Sequence, residues 1–278
     1  MRTARTLWGR IIIYLILCLV AVYTLVPVVT MILSALRSPH DSQRGPFTWP
    51  LEFSVLHNFR DAWVFGHFSN YMMNSLIQTI PAVAIVVVFA TLAGFGFAKT
   101  RFPLKNTMFF TMIGGMMIPF QSIMIPLFFL FNSLGLIDTH GAVILAVGIG
   151  GIPFGTFMMR SFFIGLPNQL LEAARLDGCS DLSAFLRVML PLTYPAWVSL
   201  IIFQTMWSWN NFLVPLVFIF TDKLRPLPLG LMFYSSRYNT EYTLVAAGVL
   251  ITILPLIILY IVLQRKFISS ITMGALTG

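Results

Sequence analysis

The residues whose types and spacing are most informative lie between positions 160 and 194. Pro167 followed by Asn168 can start a short helix, with the Asn168 side chain as its N-cap. Glu172 stands three residues before Arg175, which is the spacing of an ion pair on one helix face. Gly178 is well placed to end this helix in the left-handed conformation. The pattern predicts a rigid, capped helix rather than a catalytic group.

A second short helix should follow directly. Ser180 or Asp181 can cap its start, and the apolar residues behind the cap recur with the period of a helix: Leu182, Phe185, Leu186 and Met189. The first helix would have an apolar side of its own, at Leu170, Leu171 and Ala174. Two short helices joined by glycine form a compact protrusion, called here the knob (about 160–194). It could bind a soluble partner or lie on lipid as an interfacial hairpin, and the residues alone leave both interpretations open.

Other chemistry is missing from the sequence. A phosphate-binding loop would end in Gly-Lys, but the lysines follow Ala98, Leu104, Asp222 and Arg265, so active transport would need a separate ATPase chain. The histidines lie outside the long apolar stretches or at the edge of one, which disfavours a proton relay but leaves sodium coupling open. Two cysteines make neither a disulfide framework nor a metal cluster. We therefore expect no catalytic, cofactor-binding or metal-binding residue in this chain, and no enzyme activity.

The composition excludes an ordinary soluble domain. Hydrophobic residues make up 58% of the 278 residues, against roughly 45–50% in a typical globular chain, and charged residues make up 9% against about 25%. So few charges cannot cover a surface that faces water. The composition therefore predicts an integral membrane protein in which the links between spans meet water.

Six apolar stretches without Asp, Glu, Lys or Arg are long enough to cross a membrane as helices: about 11–36, 74–98, 107–133, 141–159, 195–220 and 243–264. Their continuous apolar runs differ from the alternating pattern of barrel strands. The first stretch is too long for the core of a signal peptide and no cleavage site follows it, so it should be an uncleaved anchor. The predicted fold is all-α, a single transmembrane domain over 1–278 with six transmembrane helices and the knob between the fourth and fifth.

The charges of the links predict the orientation. Both termini and two links, one of them the knob, would share one side, and together they carry eleven basic and three acidic residues, a net charge of +8. The links on the other side carry six of each and are neutral. Because basic residues collect in cytoplasmic links, both termini and the knob should be cytoplasmic. The positive charge of the chain is then a membrane signal, and no nucleic-acid partner is expected.

Within the spans, small residues recur at helix spacing, Ala90 with Gly94 and Gly151 with Gly155, which predicts close helix packing. Several polar residues in the spans could either hydrogen-bond across helices or line a cavity: Asn74, Gln78, Gln121, Gln204, Asn210 and Asn211.

The knob also carries a recognisable motif. Glu172-Ala173-Ala174, three residues, Gly178, nine residues, Val188, one residue and then Leu190-Pro191 resemble the EAA signature of bacterial ABC-importer permeases, with Val188 in the place of a usual Ile. Further segments resemble the carbohydrate-uptake group, and in particular the smaller permease of maltose-type transporters: Asn74-Ser75-Leu76, Ile118-Pro119 with Gln121, Ile125-Pro126-Leu127, Leu134-Gly135-Leu136 with Thr139, and Phe203 with Trp209-Asn210 and Phe212.

This resemblance implies a set of partners in the bacterial inner membrane. Such permeases pair with a second, similar permease chain and with an ATPase dimer that binds ATP and Mg²⁺, and a solute-binding protein delivers the substrate outside. The resemblance assigns contacts with the ATPase to residues of the knob: Glu172, Ala173, Ala174, Asp177, Gly178, Leu190 and Pro191. It places the outside link 221–242 towards the binding protein, where Leu227–Gly230 and Tyr234–Tyr242 could reach the substrate or form a simple solvated loop. Candidate residues of the translocation path are Gln121, Trp209, Asn210 and Asn211.

The predicted function is that of a permease subunit for a sugar, an oligosaccharide or a related polyol. Charge-free spans favour a neutral solute over a phosphorylated one, since phosphate would call for Arg or Lys in the path. One alternative is an ion-coupled secondary carrier that acts without an ATPase. Another is a membrane anchor without transport activity.

Overall fold

The computed structural model describes residues 7–45, 47–237 and 242–276. This part of the chain is helical, without a β-strand, and its only bridge pairs Arg37 with Phe53. Its helices are α1 (Leu7–Leu36), α2 (Val55–Val64), α3 (Phe68–Lys99), α4 (Lys105–Gly115), α5 (Phe120–Ser133), α6 (His140–Gly165), α7 (Asn168–Leu176), α8 (Asp181–Leu192), α9 (Tyr194–Trp209), α10 (Leu213–Phe218), α11 (Leu227–Arg237) and α12 (Tyr242–Leu276).

Four of these helices, α1, α3, α6 and α12, are long and apolar enough to cross a membrane. They correspond to the predicted first, second, fourth and sixth spans. The first three run up to six residues beyond the predicted bounds, and α12 continues to Leu276, well past the predicted end at 264. Each also contains one proline, at Pro27, Pro81, Pro153 and Pro255 respectively. A helix tolerates proline where neighbouring groups satisfy the carbonyl that the proline leaves free.

The prediction that the third and fifth spans are continuous helices is wrong. The stretch 107–133 is divided into α4 and α5, which meet at 96° where Pro119 takes the N-cap position of α5. Since proline has no backbone N–H, a helix readily restarts there. The stretch 195–220 ends as a helix at Trp209, and α9 instead forms a pair with α8 that is bent by 78°. By length and composition, the described residues thus contain four candidate spans, or up to six if each bent pair is one span.

One compact unit comprises residues 1–69 and 231–253. In it, the Asn58 amide donates to the carbonyls of Ala35 and Arg37, at 2.8 and 2.7 Å, and so ties α2 to the end of α1. The Asp41 carboxylate accepts from the Leu51 amide at 2.8 Å and from Arg44, and these bonds hold the pKa of Asp41 below its ordinary value.

The second unit comprises residues 70–230 and 254–278. Its α3 and α6 approach closely through the small residues that the sequence singled out: a Cβ at Gly155 would lie 2.7 Å from the Cβ of Ala90, and one at Gly94 would lie 2.7 Å from the Cβ of Met159. Three aromatic rings continue this packing into the knob. Phe95 of α3 lies 5.6 Å from Phe163 of α6 and 5.0 Å from Phe185 of α8, measured between ring centroids.

Candidate functional site

The first knob helix, α7, starts differently from the sequence prediction. Asn168 is its first helical residue and not its N-cap, and the N-cap position belongs to Pro167, which makes no side-chain capping bond. The Asn168 side-chain oxygen instead accepts from the Nζ of Lys99, at 2.7 Å. The lysine lies 69 residues earlier, so a local capping rule could not anticipate this contact.

The end of α7 follows the prediction. Gly178 has φ +84°, the left-handed conformation that glycine adopts most readily. The amides of Gly178 and Cys179 donate back to the carbonyls of Arg175 and Ala174, at 3.0 and 2.9 Å. Ser180, rather than Asp181, then caps α8 by accepting from the Ser183 amide at 3.3 Å.

The predicted pairing of Glu172 with Arg175 is wrong. Arg175 Nε donates to Asp181 Oδ1 at 2.9 Å, across the Gly178 turn. Both side chains of this pair are about half exposed, so the pair contributes only about 0–1 kcal/mol to stability. Within the described part of the chain, Glu172 is exposed and no hydrogen bond or ion pair engages its carboxylate.

The apolar side of the knob is only partly the predicted one. Leu171 and Ala174 of α7 are buried, as are Phe185 and Met189 of α8, whereas Leu170, Leu182 and Leu186 are 36%, 60% and 51% exposed. Residues 185–189 form a π-helical turn, which is wider than an α-helical turn and puts the leucines out of phase with the two buried residues. The predicted i, i+3, i+4 stripe holds only for a regular α-helix, and the chain departs from that geometry at these residues.

The knob therefore presents a mixed acidic and apolar surface, called here the knob face: Glu172, Leu176, Asp177, Leu182 and Leu186. Leu176 is 89% exposed, although Leu171 and Ala174 of the same helix are buried. Three large apolar side chains, Leu176, Leu182 and Leu186, are thus exposed within eleven residues of chain, which is typical of an interaction surface. The sequence prediction did not include Leu176, and it placed Leu182 and Leu186 on the same apolar stripe as Phe185 and Met189.

The remaining predicted coupling residues divide into two groups. Ala173, Gly178 and Pro191 are exposed beside the knob face, while Ala174 is buried and Leu190 packs in part against the core behind it. The first group can contact a partner, and the second can only hold the knob in place.

At the opposite end of α3, polar side chains hold the segment 219–230, called here the clamped segment. The Asn74 amide donates to the carbonyls of Lys223 and Arg225, at 2.7 and 2.9 Å, and Gln78 donates to the Leu224 carbonyl at 3.1 Å. Of the two roles left open for Asn74 and Gln78, the structure thus shows hydrogen bonding.

Asp138 holds the same segment from another side. Its carboxylate accepts from the Thr221 hydroxyl at 2.5 Å and from the amides of Phe220 and Thr221 at 2.9 Å each. These bonds, that of the Thr221 side chain foremost, hold the pKa of Asp138 below its ordinary value. Leu227 and Leu229 are buried, so they do not reach out towards a substrate as the sequence suggested.

Of the residues Tyr234–Tyr242, for which the same reach was predicted, Tyr234 is buried and packs edge-to-face on Phe68, with 5.2 Å between ring centroids. Residues 238–241 lie outside the described part of the chain. The predicted reach to the substrate therefore has no support from Tyr234.

An open cavity of about 320 Å³ lies between α3, α9 and α12. Its walls are aliphatic except for Thr79, Thr205 and Trp209, and no charged residue lines it. Trp209 is the one predicted path residue that the structure places there. Asn210 instead donates to the Met206 carbonyl at 2.9 Å, and Asn211 accepts from the Val214 amide at 3.0 Å.

Gln121, the remaining predicted path residue, is exposed at the start of α5 and does not line this cavity. Across residues 7–45, 47–237 and 242–276, no three His, Cys, Asp or Glu side chains are grouped so that they could hold a metal ion.

Comparisons with known proteins agree with this architecture. Residues 86–270, about two-thirds of the chain, match the family described as binding-protein-dependent transport system inner membrane component. The chain is 34% identical over 262 residues to the arabinooligosaccharides transport system permease protein AraQ of Halalkalibacterium halodurans, with 93% of each chain covered. It is 30% identical over 261 residues to the diacetylchitobiose uptake system permease protein NgcG of Streptomyces coelicolor, covering 93% of this chain and 86% of the relative.

A solved structure shows the same fold. A chain in the crystal structure of a bacterial ABC transporter involved in the import of alginate, an acidic polysaccharide, superposes with a TM-score of 0.84 and 22% identity. The match covers 96% of this chain and 99% of that one. The resemblance to ABC-importer permeases of the carbohydrate-uptake group is thereby confirmed, and the chain belongs to the family of binding-protein-dependent transport system inner membrane components.

Proposed function

We propose that this chain forms half of the translocation pathway of an ABC importer for a neutral sugar, oligosaccharide or related polyol. A second, similar permease chain would form the other half. A separate ATPase dimer would bind ATP and Mg²⁺ and supply the energy, and an extracytoplasmic solute-binding protein would deliver the solute. The observation that carries the proposal is the knob face, where exposed Leu176 lies beside Glu172 and Asp177 on a helix whose other side is locked into the core.

We place this chain in the inner membrane with six crossings and both termini in the cytoplasm. Four long helices support four of the crossings. We assign the other two to the bent pair α4 and α5 and to α9 with α10, which leaves α8 in the knob. The orientation is supported by the link charges, which are +8 on one side and zero on the other. In this orientation the knob lies in the cytoplasm, and the clamped segment faces outwards.

The knob suits the transmission of force. Its α7 is nine residues long and is stopped by Gly178, and its buried residues contact rings on α3 and α6. Closure of an ATPase dimer around the knob face would therefore move the ends of two membrane helices directly. We assign the contact with the ATPase to Glu172, Ala173, Asp177, Gly178 and Pro191, and we add Leu176 to that set.

The substrate assignment rests on the walls of the cavity and on the relatives. The cavity between α3, α9 and α12 is lined by two threonines and Trp209, and no charged residue lines it. Sugars present apolar faces that pack on aromatic rings, and hydroxyls that match threonine. The relatives named above carry arabinooligosaccharides and diacetylchitobiose in their names. Gln121, Asn210 and Asn211 remain proposed path residues outside this cavity.

Charge reversal on the knob tests the ATPase contact. We expect Glu172→Lys to weaken co-purification of the ATPase and to lower ATP-dependent sugar uptake in proteoliposomes about tenfold, because a desolvated charge of the wrong sign opposes docking. Arg101→Glu is the matched control, since it reverses an exposed charge in the link 99–106 and should retain the ATPase. Equal behaviour of the two variants would contradict the assignment.

A further inference from the structure

The ammonium group of Lys99 has a place in the structure that the proposed function leaves unused. Lys99 is the last residue of α3. Its Nζ donates to the carbonyl of Leu166 at 2.6 Å and to the side-chain oxygen of Asn168 at 2.7 Å. Leu166 is the C-cap of α6 and Asn168 is the first residue of α7, so one side chain joins three helices at a single point.

The chemistry of this point suits a cation. The carbonyl ends of α3 and α6 both lie there, and the C-terminal end of a helix carries partial negative charge. The start of α7 has no side-chain cap from Pro167, so the bond to Asn168 is the polar contact that orients its first turn. A lysine can satisfy both acceptors because its ammonium has three donors.

Neighbouring cations make different contacts. Lys105 donates to the carbonyls of Ala98 and Thr100, at 3.5 and 2.8 Å, and so stays on the link that leaves α3. Arg160 donates to the Phe97 carbonyl at 3.4 Å and lies over the ring of Phe109. These bonds lead to α3, its following link and α4 rather than to α7, which makes Lys105 a natural control for the loss of a nearby charge.

The helix that Lys99 ends is also bonded at its other end. α3 runs from Phe68 to Lys99 without a break, and Asn74 near its start holds the backbone of the clamped segment. A displacement of α7 that reaches α3 through Lys99 can therefore pass to the segment that we place outside the membrane. Without Lys99, α7 would be joined to the core by the chain that leads from α6 and by apolar packing.

We propose that Lys99 is a positioning residue. Its two hydrogen bonds form a latch that holds the first turn of α7, the first knob helix, against the end of α3. Through this latch, motion of the knob moves α3 as well as α6. The part of this inference that concerns transport rests on the proposed function, whereas the part that concerns the position of α7 does not.

The position of α7 can be tested on the full-length chain alone, in lipid nanodiscs without ATPase. Cys179 lies just beyond α7 and is partly buried against the knob core, so its reaction with N-ethylmaleimide reports loosening of the knob. The exposed Cys18 is replaced by serine in all variants. Lys99→Met should raise the labelling rate of Cys179 about tenfold, since two charge-assisted bonds are lost.

Two further variants make that test specific. Lys105→Met should stay within about twofold of the parent, and Lys99→Arg should restore most of the protection because a guanidinium can donate to both acceptors. Unchanged labelling in Lys99→Met would overturn the inference. Equal labelling in the Lys99→Met and Lys105→Met variants would overturn it too, because the effect would then come from charge alone.

The transport consequence is measured on the reconstituted complex. Lys99→Met should still co-purify with the ATPase, since the knob face is intact, but the amount of solute taken up per ATP hydrolysed should fall several-fold relative to Lys105→Met. If the parent complex shows no ATP-driven uptake, the proposed function is wrong. The labelling rate of Cys179 still tests whether Lys99 holds α7 in place, because that measurement does not depend on transport. If uptake per ATP is unchanged in Lys99→Met, the latch does not transmit motion.

Discussion

Gly178 is the residue at which a minimal substitution should loosen the knob. Its φ is +84°, and a Cβ added there would have no heavy atom within 4 Å. Gly178→Ala thus meets no steric contact, and its whole cost is the left-handed backbone, which an L-residue occupies at about 1–2 kcal/mol. That cost raises the population of locally opened knob about 5- to 30-fold.

Trypsin provides the assay. Arg175 is exposed in the last turn of α7, and cleavage after it requires the turn to open. When opening is fast relative to cleavage, the cleavage rate follows the open population. The rate at Arg175 in Gly178→Ala, followed by mass spectrometry on the chain in nanodiscs, should therefore rise about 5- to 30-fold.

A matched glycine separates strain from the loss of glycine itself. Gly165 ends α6, and a Cβ added there would likewise have no heavy atom within 4 Å, but its φ lies outside the left-handed range. Gly165→Ala should leave the cleavage rate unchanged or lower it, because alanine favours a helix over glycine by roughly 0.5–1 kcal/mol. Cleavage of Gly178→Ala at the parental rate, or equally fast cleavage of both variants, would show that the left-handed conformation at Gly178 does not control opening of the turn.

Three further predictions concern the rest of the fold. Gly155→Leu should destabilise the chain by about 1–3 kcal/mol or more in thermal unfolding, since even its Cβ would lie 2.7 Å from α3, while Gly150→Leu, which has open space, should be tolerated. Asn74→Leu should cost about 2–3 kcal/mol, because it leaves two carbonyls of the clamped segment without their donor, and it should lower the stimulation of the ATPase by the solute-binding protein. Asp138→Asn should lower the unfolding temperature at neutral pH. The pKa of Asp138 in the folded protein lies below its ordinary value of 3.8, so the stability that this carboxylate contributes is complete above pH 3.8. The difference in unfolding temperature between variant and parent should therefore disappear as the pH falls through the folded pKa.

The knob shows what local sequence chemistry can predict. The stop at Gly178 and the cap at Ser180 depend on residues within one helical turn, and both occur as predicted. The cap at Asn168 and the pairing of Arg175 were wrong because Lys99 and Asp181 compete for those groups, one of them from a distant helix. Such competition is decided by tertiary structure and has no local signal.

The membrane helices show a similar division. Long apolar runs predicted α1, α3, α6 and α12, because hydrophobic length alone determines whether such a helix can span. The 96° bend before α5 had local signs in Gly114, Gly115 and Pro119. Glycine and proline are also common in continuous membrane helices, so these residues alone did not predict the break. The exposure of Leu182 and Leu186 could not be predicted from the α-helical spacing. The π-helical turn at 185–189 is wider than an α-helical turn, so residues before and after it no longer share one face of a regular helix.

In the proposed function, this chain moves its solute only when a separate ATPase is bound to the knob. The most direct measurement is uptake of labelled sugar into proteoliposomes that contain this chain and its partner permease, with and without the ATPase, the solute-binding protein and ATP. We expect uptake only in the complete system, and its loss when Glu172→Lys replaces the parent chain. Uptake without the ATPase, driven by a sodium or proton gradient, would instead identify the chain as an ion-coupled carrier.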